Sequence, residues 1–64
     1  MNDVFRTFLH GVSARGAYCL DCLSEMYGES ARTIARYLSE SEVFSRLGTC
    51  TNCDEEGATF RSGL

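Results

Sequence analysis

Four cysteines, Cys19, Cys22, Cys50 and Cys53, fall in two C-x2-C pairs separated by 27 residues of a 64-residue chain. A thiolate is a soft ligand, and two pairs of this spacing can set four sulfurs at the corners of a tetrahedron. That is how Zn(II) is held in closed structural sites. One structural Zn(II), bound by all four cysteines, is therefore the expected cofactor.

Three other uses of the thiols weigh less. Disulfides need an oxidising compartment, and residues 1–20 lack the basic start and apolar run of a secretory signal. A rubredoxin-like iron site has similar pair spacing but wants Gly and Pro around each pair. Here Leu23 and Asp54 follow the second cysteines, and the chain has no proline. A C-x-x-C redox motif would sit in a βαβ context, for which no pattern is present.

Length explains why a metal is wanted. A chain this short buries about 60% of its unfolded surface, and such a core seldom supplies more than about 3–5 kcal/mol. Structural zinc adds on the order of 10 kcal/mol of apparent binding energy to folding. The chain reads as one zinc-binding domain over residues 1–64, complete from Met1. No run approaches the length of a membrane helix, and a cytoplasmic location is expected, with no membrane partner and no small-molecule substrate.

Nine Asp and Glu stand against six Arg, with no Lys, for a formal net charge of −3. Four thiolates and one dication would bring this to about −5. Overall charge thus opposes a polyanion, and any nucleic-acid contact has to come from a local patch.

The elements that position the cysteines follow from periodicity. Phe5, Phe8, Leu9 and Val12 form one apolar face of a first helix, with Asp3 as its N-cap and Gly11, Ser13 and Gly16 ending it. His10 beside that stripe reads as a solvated or hydrogen-bonded side chain. A second helix starts near Cys19, with Leu20, Leu23, Met26 and Tyr27 inward. Its first turn holds Cys19 and Cys22 near the positive end of the helix dipole. Gly28 ends it, and Ser30 caps a third helix running to about Ser41. In that helix Ala31, Ile34, Ala35 and Leu38 face inward, Arg32, Thr33, Arg36 and Ser39 outward, and Tyr37 sits at the boundary. From Glu42 the period changes to that of two short strands joined by a cysteine knuckle. The fold class is thus a small α+β domain of three helices followed by a β-hairpin. Phe5, Phe8, Leu9, Leu20, Leu23, Ile34, Leu38, Phe44 and Phe60 are the expected core.

The stretch Leu20 to Leu38 resembles a helix-turn-helix unit. Leu23, Tyr27, Ile34 and Tyr37 stand at its apolar positions, Ser24 is the small residue, and Gly28 is the glycine of the turn. Glu29 departs from the usual apolar residue. Residues 18–61 as a whole resemble the small prokaryotic zinc-bearing winged-helix proteins, whose pattern C-x-x-C-L … L … G-x-C-x-x-C is carried by Cys19, Cys22, Leu23, Leu38, Gly48, Cys50 and Cys53. Asp54 replaces the glycine expected next. The resemblance implies a DNA-binding scaffold of the transcription-regulating kind.

Arg32, Thr33, Arg36 and Arg46 are then the candidate DNA contacts, since a guanidinium on an exposed recognition helix reaches guanine or phosphate. The rival reading is an acidic protein-interaction module, with Asp54, Glu55 and Glu56 docking a basic partner and Tyr18, Tyr27 and Tyr37 as anchors. An enzyme is not expected, because four cysteines leave no open metal position and no nucleophilic set surrounds His10.

Overall fold

The first helix forms because its apolar residues recur once per turn. In the computed structural model, which describes residues 3–63, α1 spans Asp3–Ser13. It buries Phe5 and Leu9, and Phe8 and Val12 pack partly buried against the same core. Asp3, expected as the cap, lies in the first turn. Gly11 does not break the helix. Val12 belongs to the buried stripe, so packing carries the chain past a residue that costs only about 1 kcal/mol relative to alanine. Ser13 closes the helix, and its buried hydroxyl accepts the Ser62 amide at 2.7 Å.

A two-residue strand, β1 (Tyr18–Cys19), precedes α2 (Leu20–Tyr27). Two residues carry no alternation, so this strand was not foreseen. Cys19 is the N-cap of α2 in extended conformation, and Gly28 ends it with a left-handed φ of 87°. The amides of Gly28 and Glu29 both donate to the Ser24 carbonyl, at 2.9 and 3.2 Å. The Ser24 hydroxyl donates to the Glu29 carbonyl. The small residue of the turn thus fastens the turn itself, and the Glu29 side chain is exposed.

The third helix, α3 (Ala31–Glu40), is capped by Ser30, whose hydroxyl accepts the Thr33 amide at 3.3 Å. Ser41 lies just beyond it as the C-cap. Ile34 and Leu38 are buried as expected, but Ala35 is exposed. Phe5, Phe8, Tyr27 and Tyr37 form one aromatic cluster tying the three helices together, with ring centroids 5.0 to 6.2 Å apart. Tyr18 is buried. Tyr27 and Tyr37, foreseen as partner anchors with Tyr18, pack partly buried against the core.

The hairpin consists of β2 (Val43–Thr49) and β3 (Glu56–Ser62), paired antiparallel from Val43↔Ser62 to Thr49↔Glu56. β1 pairs with the other edge of β3 through Tyr18↔Phe60 and Cys19↔Thr59, giving the order β1-β3-β2. Val43 and Phe60 pack partly buried against the core. Successive side chains of a strand alternate in face, so with Val43 turned inward Phe44 points away. Phe44 is 61% exposed, contrary to the expectation that it joins the core. Leu47, at 82%, is more exposed still.

Leu23 and Ile34 have no exposed surface. Leu23→Ala and Ile34→Ala should each cost about 2–5 kcal/mol in denaturant unfolding. Leu47→Ala, at a solvent-facing position, should change stability by less than about 0.5 kcal/mol.

Candidate metal centre

The two cysteine pairs reach one another through the sheet. Pairing of β1 with β3 places Cys19 opposite Thr59, beside the turn between β2 and β3 that carries Cys50 and Cys53. That turn is held by the Asp54 amide on the Cys50 carbonyl and the Cys50 amide on the Glu55 carbonyl, both 2.9 Å. It is moored to the approach to β1 by the Thr51 amide on the Ala17 carbonyl, also 2.9 Å. Gly16 is required at this crossing. Its φ is 150°, and an added Cβ would collide with the Thr51 hydroxyl.

Asp54 follows Cys53 where a glycine was expected, and its φ is 62°. The backbone position is the left-handed one a glycine would fill, and aspartate tolerates it better than most residues.

The four sulfurs lie within 4.8 Å of one another. A regular tetrahedron of sulfurs about 2.3 Å from a central ion has edges of about 3.8 Å, and Cys19 Sγ and Cys53 Sγ are 3.8 Å apart. Cys22 and Cys50 are buried, Cys19 is half-buried and Cys53 exposed. These side chains can hold one metal ion, and an all-thiolate set with this spacing is consistent with zinc.

Hydrogen bonds shape the site further. The Cys19 amide donates to Cys50 Sγ at 3.3 Å, and Asn52 Nδ2 donates to Cys22 Sγ at 3.4 Å. Asn52 lies within the second pair and contacts the first, so it links the two halves. Burial pushes the Cys50 thiol up, but the amides of Cys19, Cys53 and Asn52 outweigh it and bring Cys50 down to about 6. Cys22 gains from the Asn52 amide, yet burial and the three neighbouring sulfurs push it up to about 12. Cys53 is also raised, because burial and the Cys50 and Cys19 sulfurs outweigh the Glu55 amide. Without a cation these crowded thiols cannot all ionise. A bound dication removes that conflict.

The sequence signal for the four ligands lay in their spacing. Asn52, Gly16 and the β1 pairing carried no comparable signal, because each acts through a neighbour distant in the chain. The candidate DNA contacts lie elsewhere. Arg32 and Arg36 are exposed on α3, and Arg36 makes a loose 3.9 Å ion pair with Glu40. Thr33 is half-buried, with its amide and hydroxyl engaged by the Ser30 hydroxyl. Arg46 is exposed on β2, and Asp54, Glu55 and Glu56 are all exposed at the turn. The chain matches no known protein family, no curated protein and no solved structure.

Thiols must lose their protons to bind a metal. At pH 7 loading should displace at least the Cys22 and Cys53 protons, measurable with a pH indicator, and affinity should fall by about tenfold per pH unit for each proton displaced as pH falls. A chelator, or Cys50→Ser, should abolish helical circular dichroism and chemical-shift dispersion.

At Asp54 the left-handed backbone sets the order of variants. Asp54→Gly should equal or exceed the parent in stability, and Asp54→Val should lose about 1–2 kcal/mol, as read by thermal unfolding of the metal-loaded protein.

Proposed function

We propose that this chain is a DNA-binding module of the winged-helix type, probed through α3 and stabilised by one structural Zn(II). The observation that carries the reading is topological. The order α1-β1-α2-α3-β2-β3 with strands arranged β1-β3-β2 is that of a winged helix. Within it α2, a glycine turn and α3 take the positions of a helix-turn-helix, and α3 turns Arg32 and Arg36 to solvent one helical turn apart. Arg46 is exposed on the hairpin. Four thiolates complete the ion's tetrahedron, which suits a structural rather than a catalytic metal. A role in transcription regulation from a cytoplasmic location follows from this reading. Among the described residues no helix is long and apolar enough to cross a membrane.

One observation favours a second reading, in which the domain docks a basic protein. Asp54, Glu55 and Glu56 stand exposed together at the metal-bearing turn, where phosphate would be repelled. Phe44 and Leu47 on the adjoining strand offer exposed apolar surface.

Duplex binding across a salt series separates the two. Arg32→Ala with Arg36→Ala should weaken DNA binding by about 2–6 kcal/mol, since a good base contact contributes about 1–3 kcal/mol, and leave circular dichroism unchanged. Neutralising Asp54, Glu55 and Glu56 should strengthen nonspecific binding. If no salt-dependent duplex binding occurs at low ionic strength and the acidic substitutions abolish capture of a basic partner, the second reading replaces the first.

A further inference from the structure

The four sulfurs of the metal centre are unequal. Cys50 is fully buried and its sulfur accepts the Cys19 backbone amide at 3.3 Å. Cys22 is buried and accepts from the Asn52 side chain at 3.4 Å. Cys53 is exposed, and its sulfur lies 3.8 Å from that of half-buried Cys19. The solvent-facing edge of the tetrahedron is thus a Cys19–Cys53 edge that joins one C-x-x-C pair to the other.

Access and hydrogen bonding both control how a thiolate meets an oxidant. Donors directed at sulfur withdraw electron density, and burial excludes the reagent. Cys22 and Cys50 are protected on both counts. The acidic run Asp54, Glu55 and Glu56 beside Cys53 repels anionic reagents, whereas a neutral peroxide is not repelled.

We propose that Cys19 and Cys53 form an oxidation-sensitive pair through which a peroxide unloads the metal, an inference that rests on the metal-centre reading. The Cys53 thiolate attacks one peroxide oxygen and the O–O bond breaks, leaving a sulfenic acid on Cys53 and a hydroxide. The Cys19 thiolate then attacks the sulfenic sulfur and expels the second hydroxide. Two thiolates become one disulfide, and one peroxide is reduced to two hydroxides. Closing the sulfurs from 3.8 Å to a bond of about 2.05 Å is a small displacement. Only two ligands then remain, too few for the closed site. The cross-link joins β1 to the β2–β3 turn across 34 positions of sequence, and a thiol reductant reverses it.

The test treats the zinc-loaded full chain with hydrogen peroxide, reading released zinc with a chromophoric chelator and disulfide position by mass. The oxidised protein is unfolded, alkylated and cleaved after arginine and before aspartate. This puts Cys19 in residues 16–20, Cys22 in residues 21–32, and Cys50 with Cys53 in residues 47–53. Residues 16–20 should be joined to residues 47–53, with fragmentation placing the bond on Cys53, and one zinc should be lost per disulfide. Cys19–Cys22 or Cys50–Cys53 bonds, linkage through Cys22 or Cys50, or zinc retained in excess peroxide would overturn the proposal and leave the metal centre standing. A chain that holds no metal before peroxide is added overturns both.

Discussion

Four cysteine sulfurs gathered within 4.8 Å repel one another once ionised, and the rest of this small protein is arranged around that crowding. Two of the ligands belong to the start of α2 and two to the turn of the hairpin, so a metal ion between them joins the helical half of the chain to the sheet half. The cap position of Cys19 and the mooring of Thr51 on Ala17 bring these segments close without the ion. Electrostatics alone would drive them apart. A bound dication would offset that repulsion.

The apolar core is continuous with the cysteine site, since Cys22 and Cys50 belong to the same buried cluster as Phe5, Leu23 and Ile34. Phe5, Phe8, Tyr27 and Tyr37 pack edge-on and tilted between the three helices, and Leu23 and Ile34 lie wholly inside. This apolar cluster orients α3 relative to α2. The β1–β3 pairing and the Thr51 amide on the Ala17 carbonyl position the hairpin beside the start of α2. Because the turn between β2 and β3 is also the metal-bearing turn, the wing in the winged-helix reading is pinned beside the start of α2. The exposed arginines of α3 and the exposed carboxylates of the knuckle thus stand on separate elements of the fold.

Tyr18 is buried, and Tyr27 and Tyr37 sit partly buried at the rim of the core. The exposed apolar side chains of the hairpin are Phe44 and Leu47. Phe44 was misplaced in the core because an apolar count over residues 43–47 does not say which face each residue takes. Strand register decides that, and β3 supplies the register.

Local chemistry made much of the chain legible. The cysteine spacing singled out the four thiols that the fold gathers, the 3.6-residue period identified three helices, and Gly28 and Ser30 marked a stop and a start that need only neighbouring residues to work. Asp54, where a glycine was expected, takes a left-handed φ of 62° that the sequence did not announce. What tertiary structure alone decided was everything that depends on a partner far along the chain: the two-residue β1, the inward and outward faces of β2, the close passage of Gly16 under Thr51, and the unequal exposure of four chemically identical thiols. A cap or a helical stripe is settled within one or two turns of backbone. A strand's face, or a sulfur's access to water, is settled by whichever distant segment packs against it.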